Sequence, residues 1–454
     1  MTIQSLNPTT GVVEQQFEEL SPDKTVAAVE AVAQAYTAWS KTSFAERATC
    51  LRSLAGILRD KADDYALIMA KEMGKAISSG RGEALKCAAV CDYYADNGAA
   101  MLTSEPVPGC GRKAFVDFAP MGTVLAVMPW NFPFWQVLRI AAPTLMAGNT
   151  MVLKHASNVP QCALAIEEAF AQSDFPKDVF RALLIGAGQV ETVLDQDSVV
   201  AVSLTGSEEA GRKVAAAAGA RLKKSVMELG GSDPFIVFPD ADIQQAASIA
   251  ALSRCSNAGQ TCIAAKRFIV LEDVFDAFVE ALSKAMDGLK VGPPLDPTTA
   301  VGPMSSIELR DGLQKQVDRA LKAGGVLVRG GSIPDGPGAF YPLTIICDVP
   351  SEADVCREEL FGPVALVFRA SSEEEALAMA NDTPFGLGGS LWIGDEEKGL
   401  ELARRVEAGA VFVNGMVRSD PALPFGGIKG SGYGRELSSF GIREFVNIKS
   451  ICAG

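Results

Sequence analysis

From about residue 114 onward, short apolar runs and helical periodicities take turns along the chain. TVLAVM (123–128) precedes a helical pattern near Phe134 to Leu145, and TMVLK (150–154) precedes one near Pro160 to Ala171. VFRALLI (179–185) precedes QVETVLDQ, and VVAVSLT (199–205) precedes SEEAGRKVAAAA. Apolar runs this short bury both faces, and their alternation with helices predicts a parallel sheet with helical crossovers. The rhythm restarts near Gly230: DPFIVF (233–238), KRFIVL (266–271) and GAVFVN (409–414) read as strands, with VFDAFVEALSKAM and IELRDGLQKQVDRALKAG as helices. Upstream, residues 24–102 place apolar side chains three and four apart, a mostly helical segment. PVPGCGRKAFVDFAP (106–120) and REFVNIKSI (443–451) fit neither rhythm and read as strand-forming excursions.

Length and charge narrow the function classes. The 454 residues are 48% hydrophobic and 21% charged, with net charge −14, enough for two or more well-packed domains. An acidic chain with no basic stripe is not built for nucleic acid or for anionic membranes. MTIQSLNPTTGVVEQQ has no export-signal pattern, so a cytoplasmic location is expected. Between Phe118 and Leu153 the one charge is Arg139, but four prolines interrupt that stretch. It reads as strand, turn, helix and strand in a buried core, not as a membrane span. None of the ten cysteines forms a C-x-x-C pair, so neither zinc nor disulfides are expected. Nine of them read as small core residues. The single histidine, His155, excludes a multi-histidine metal centre, and no metal site is expected.

Several stretches hold polar groups where a core has no use for them. NAGQTC (257–262) sets Cys262 behind small and polar residues that leave its sulfur approachable. A thiol reacts as thiolate; without a histidine partner, the expected activators are backbone amides and a cofactor's positive ring. PWNFPFW (129–135) flanks Asn131 with prolines, which fix the backbone and remove competing donors. An amide so held suits a developing oxyanion, a contact of about 2.7–4 kcal/mol in comparable sites; a plain turn asparagine is the alternative. VMELGGSDPFIVF places Glu228 in an apolar stretch before two glycines. Desolvation there raises a carboxyl toward a general base, and a buried ion pair is the alternative. SLTGSEEAG (203–211) ends a strand and opens a helix, with Thr205 and Glu208 at capping-box spacing. Its start suits a phosphate, or is simply capped. GAGQVE (186–191) lacks the third glycine of a dinucleotide fingerprint. Arg139 lies eight residues beyond Asn131, as a structural ion pair or as a clamp for a carboxylate.

Taken together, these stretches resemble the aldehyde dehydrogenase superfamily over essentially the full length. PWNFP, LKHASNVP, SLTGSEEAG, MELGGSDP, NAGQTC, EELFGP, NDTPFGLGGS and PFGGIKGSGYGRE occur in the family's order and spacing. The resemblance implies an α/β fold of two Rossmann-like doubly wound domains plus a small β oligomerisation excursion. Residues 1–104 and 121–229 would form the cofactor-binding domain, 230–434 the catalytic domain, and 105–120 with 435–454 the oligomerisation segments of a homodimer or dimer of dimers. By the same resemblance Cys262 is the nucleophile, Asn131 and the Cys262 amide hold the oxyanion, and Glu228 activates the water that hydrolyses a thioester. Glu359 matches the residue holding the nicotinamide ribose, and Phe361 packs near the ring. Trp130, Lys154, Gly206, Ser207 and Gly211 match the adenosine and pyrophosphate end.

One departure bears on the cofactor. Lys154-His155-Ala156-Ser157 replaces the family's frequent Lys-Pro-x-Glu. Ser157 carries no charge to repel a 2′-phosphate, and Lys154 can pair with one, so NADP is expected over NAD. His155 reads as a non-catalytic neighbour in this loop. PWNFPFWQVLR is most similar to the succinate-semialdehyde dehydrogenase branch, where Arg139 and Ser419 match contacts to the substrate carboxylate. The expected reaction is NADP-linked oxidation of succinate semialdehyde to succinate. Alternatives are a broad-specificity or other semialdehyde dehydrogenase, a CoA-acylating relative, and an inactive binding protein of the same fold. Glu228 argues against the CoA-acylating branch, and the presence of Cys262, Asn131 and Glu228 argues against the inactive protein.

Overall fold

Four helices, Pro22–Trp39, Phe44–Asp60, Ala62–Met73 and Ile77–Met101, occupy the first hundred residues of the computed structural model, which describes residues 2–454. Their ends follow local chemistry. Ser21 caps the first helix through the Lys24 amide, with Pro22 at the opening position. Ser43 and Glu46 form a reciprocal capping box on the second. The third stops at Gly74, whose φ of 77° lies in the left-handed region. A separate hairpin, Thr2–Leu6 with Val13–Glu18, precedes them.

The first of those four helices packs on a six-stranded sheet, and the other three pack on its helices Trp135–Met146 and Pro160–Gln172. Its order is Phe180–Ala182, Thr150–His155, Thr123–Met128, Val199–Thr205, Lys224–Glu228 and Gly432–Tyr433. The first five strands are parallel, as the alternation of runs and helices requires. Strand order reverses between Thr123–Met128 and Val199–Thr205, which opens a crevice at their carboxyl ends, where ligands of such sheets bind. The stretch that mimicked a membrane span is strand, helix and strand. All twelve residues of the helix Trp135–Met146 are buried, and no helix of the described residues is long and apolar enough to cross a membrane.

A second sheet has seven strands in the order Val326–Arg329, Thr344–Cys347, Val364–Ala370, Ala265–Leu271, Asp233–Val237, Gly388–Trp392 and Ala410–Val413. All neighbours are parallel except the Val326–Arg329 edge. Its core is aromatic, with Phe235 stacked on Trp392 at 5.5 Å between ring centroids. The two excursions meet as expected. Val446–Ala453 runs antiparallel to Lys113–Pro120, which also pairs with Glu105–Pro106.

Three local expectations are corrected. Thr205 does not cap the next helix. It pairs with Glu228 at the end of its strand, and Ser207 caps Glu208–Ala220 by accepting the Ala210 amide. The nine core cysteines number seven, because Cys110 and Cys452 are exposed on the small antiparallel sheet. The chain also returns to the first sheet before residue 434. Gly432 pairs with Glu228 and Tyr433 with Met227, and Phe425 bridges to Glu436.

That return depends on a glycine. Gly432 has φ 109°, and a Cβ there would stand 1.9 Å from the Met227 carbonyl oxygen. Gly432→Ala should cost about 1–3 kcal/mol of stability through this overpacking. Urea denaturation reads the loss, and an unchanged midpoint would mean the edge strand is dispensable.

Candidate active site

The helix Ile243–Cys255 ends in an unusual turn. Asn257, Ala258 and Gly259 have φ of 54°, 53° and 73°, three consecutive left-handed residues. For the two that are not glycine this conformation costs roughly 1–2 kcal/mol each, so the surroundings must hold it. Arg254, fully buried, donates to the carbonyls of Gly259 and Ala265. Gln260 Nε2 donates to the Asn257 carbonyl at 3.0 Å, and its Oε1 accepts the Ser305 amide at 2.8 Å. Lys266 Nζ donates to the carbonyls of Cys262 at 2.7 Å and Thr261 at 3.0 Å. A Cβ on Gly259 would come within 2.3 Å of the Gly362 carbonyl carbon, so glycine is required there. The turn delivers half-buried Cys262 to a cavity of about 240 Å³ lined by Lys86, Trp135, Arg139, Ser419 and Phe425 among others.

Asn131 is tied to this same loop. Its Nδ2 donates to the Gln260 carbonyl at 3.0 Å, leaving the second amide hydrogen available. Its backbone carbonyl accepts from Asn257 Nδ2 and from Lys75 Nζ, both at 2.8 Å. Lys75 is ion-paired with Glu83, both buried. Glu83 in turn accepts the amides of Phe134 and Trp135 at 2.9 Å each. His155 supports the same segment from behind. It ends the buried strand Thr150–His155 and is not in the following loop. The Ala156 amide donates to its Nδ1, so the neutral ring carries its proton on Nε2 and gives it to the Pro133 carbonyl at 2.8 Å.

The charges around the thiol are buried and matched. Burial pushes the Cys262 thiol up to about 12, and Arg139, then Lys266, are the charges that pull it back. Glu228 is 2% exposed. Burial, then the neighbouring Glu436, raise its carboxyl well above the ordinary range, while Arg139 opposes them. Glu228 does not line the Cys262 cavity; Arg139 is the charge that both groups feel. Arg139 itself is ion-paired with the fully buried Glu436, donates to Thr205 Oγ1 at 3.3 Å and lies over the Phe425 ring. Arg139 thus makes the structural ion pair that the sequence offered beside the clamp. The residue reaches the cavity with its charge already countered. Ser419, 8% exposed, accepts from Lys86 Nζ at 2.8 Å.

Around the expected cofactor residues, the Trp130 ring meets Phe361 edge-on at 5.8 Å between centroids. Glu359 accepts the Gly231 amide at 3.2 Å and pairs with Lys266 at 3.2 Å. A Cβ on Gly230 would lie 2.6 Å from its carboxylate, which explains that glycine. Lys154 is 9% exposed, and burial lowers its pKa against the pull of Glu19. Ser157 is exposed just beyond it. The Gly206 amide donates to the Glu228 carbonyl at 3.0 Å. Gly211 is needed because Leu229 packs against it, 2.5 Å from where a Cβ would sit.

Sequence reasoning passed over Lys75, Glu83, Lys86, Lys266 and Glu436. Each is a charged residue on a buried face, and that conflict with the apolar pattern was the available signal. A basic pair, Lys266-Arg267, opening an otherwise apolar strand was its clearest instance.

The aldehyde dehydrogenase family model matches residues 1–451. A probable succinate-semialdehyde dehydrogenase [NADP(+)] of Synechocystis sp. is 48% identical over 451 residues, covering 99% of both chains. Among solved structures, Gox0499 superposes with a TM-score of 0.98 at 41% identity over the whole of both chains. Succinic semialdehyde dehydrogenase from Streptococcus pyogenes, in complex with NADP+, superposes with a TM-score of 0.97 at 40% identity over 99% of both.

The single histidine allows a clean test of the wall behind Asn131. Burial depresses the His155 pKa from 6.5 to about 4. As pH falls, the unfolded chain takes up this proton first, so His155 contributes stability above about 6.5 that is lost progressively toward about 4. The slope from this group approaches about 1.4 kcal/mol per pH unit. His155→Gln should lack that part of the slope. A wild-type-minus-variant difference that stays constant across this window, by urea denaturation, would contradict the assignment.

Proposed function

The chain belongs to the aldehyde dehydrogenase family, and from that membership we propose that it oxidises succinate semialdehyde to succinate with NADP preferred over NAD. The observation that carries the reading is the Cys262 sulfur opening on a cavity that also holds Lys86, Arg139 and Ser419, a cationic end suited to a carboxylate. Cys262 attacks the aldehyde carbon. The oxygen takes up negative charge facing the free Asn131 amide hydrogen and the Cys262 amide. Burial opposes the thiolate and Arg139 and Lys266 favour it, and the proton that the sulfur gives up on attack leaves to solvent through the open cavity. A nicotinamide held by Glu359 and Phe361 would supply the hydride acceptor that oxidation of the thiohemiacetal to a thioester requires. Burial, then Glu436, raise the Glu228 carboxyl well above the ordinary range, the direction that a general base for the hydrolytic water requires.

The residues present fit a dinucleotide carrying a 2′-phosphate. Lys154 offers a cation and Ser157 a hydroxyl where a carboxylate would repel the phosphate. Trp130, Gly206, Ser207 and Gly211 would hold the adenosine and pyrophosphate end, and Glu359 and Phe361 the nicotinamide end. The cofactor-binding unit comprises residues 1–104 and 121–229, completed by Gly432–Tyr433, and the catalytic unit lies between them in sequence. We assign a cytoplasmic homodimer or dimer of dimers, supported by Ile448 and Ile451, exposed on the edge strand Val446–Ala453.

A panel of aldehydes run with both cofactors tests the reading. The expected ranking places succinate semialdehyde above butyraldehyde, and NADP above NAD, in kcat/KM. Ser157→Glu should lower kcat/KM for NADP at least roughly tenfold by like-charge repulsion and shift preference to NAD. An unchanged NADP value in that variant would overturn the cofactor assignment.

A further inference from the structure

Three cations line the cavity in front of Cys262, namely Lys86, Arg139 and Arg418, and they are not equivalent. Arg139 is already paired with buried Glu436, so an incoming anion meets a nearly neutral pair. Arg418 is exposed, its guanidinium 5.4 Å from the Phe412 ring, and water and salt screen it. Lys86 differs from both. Its ammonium donates to Ser419 Oγ and stands 3.9 Å from the centroid of the Trp135 ring. No carboxylate of the described residues makes an ion pair with it at 4.0 Å or less.

An ammonium has three hydrogens to give, and Ser419 takes one. The Ser419 hydroxyl, accepting from Lys86, keeps its own hydrogen to donate. Two donors thus face the cavity side by side, one of them charged. The groups around Lys86 leave it in want of an anion. Burial, then Arg139, oppose its charge, Glu83 and Asp420 favour it more weakly, and Glu83 is committed to Lys75.

We propose that Lys86 is the specificity-determining cation of this site, pairing with the substrate carboxylate while Ser419 supplies the second donor. The inference rests on the reading of the substrate as an aldehyde that carries a carboxylate, and it moves the principal charge contact from Arg139 to Lys86. Burial, then Arg139, lower the Lys86 pKa to about 8 in the free enzyme. Its charge, and with it the preference for an anionic substrate, should therefore fade as pH rises past about 8.

The test uses the full-length enzyme with saturating NADP and two aldehydes of equal carbon number, succinate semialdehyde and butyraldehyde. The readout is the ratio of their kcat/KM values, which cancels effects common to both. Lys86→Met keeps an unbranched stem over Trp135 and should lower the ratio at least roughly tenfold. Lys86→Arg, which keeps the charge, should hold it within roughly threefold of wild type. In the wild type the ratio should fall above about pH 8, and in Lys86→Met it should be flat. This pH dependence needs no variant, so it decides the matter even if Lys86→Met folds poorly. A preserved ratio in Lys86→Met, equal losses in the Met and Arg variants, or a wild-type ratio that ignores pH would each overturn the proposal. A wild type that does not prefer succinate semialdehyde over butyraldehyde would instead remove the substrate reading, and this inference with it.

Discussion

One backbone carbonyl, that of Asn131, joins the parts of the site that come from distant stretches of chain. It accepts from Lys75 on the helical side and from Asn257 in the nucleophile turn, each at 2.8 Å. Because both donors are buried, neither can trade its bond for one to water without a penalty of about 1–3 kcal/mol. The carbonyl therefore fixes the distance between the residues before the helix Trp135–Met146 and the loop carrying Cys262. The Lys75–Glu83 pair extends the anchor, since Glu83 also receives the first amides of that helix. Removing one member would strand a buried charge, which is far costlier than losing a surface pair.

Charge is rationed in the interior around the thiol. Arg139 stands among Cys262, Glu228 and Glu436, so one guanidinium serves two carboxyls and a sulfur. Two carboxylates cannot both ionise beside a single cation without strain. The resting arrangement pairs Glu436 with Arg139 and biases Glu228 toward its neutral form. That bias is a property of the whole cluster and not of Glu228 alone.

Much of this was legible in the chain. Parallel strands were readable because runs such as TMVLK and VVAVSLT have no polar face, and a strand without one must be covered on both sides. Cys262, Asn131 and Glu228 were readable because each sits among residues that make no packing sense of it. What could not be read were partnerships spanning great lengths of chain. Nothing near Arg139 announces Glu436, 297 positions later. Nor does sequence order announce that the Trp130 ring meets Phe361. Thr205 fitted a capping pattern as well as Ser207 did. Sheet pairing with Glu228 decided between them, a tertiary effect that local propensity cannot contain.

The late return of Gly432–Tyr433 to the first sheet has a bearing on biosynthesis. Domains tend to fold as they leave the ribosome, amino-terminal parts first. Here the strand ending in Glu228 lacks its outer neighbour, and Arg139 lacks its counter-ion, until some two hundred further residues have been translated. A nascent polypeptide can thus build most of the first sheet early while its outer edge stays unpaired and the buried Arg139 charge stays uncountered.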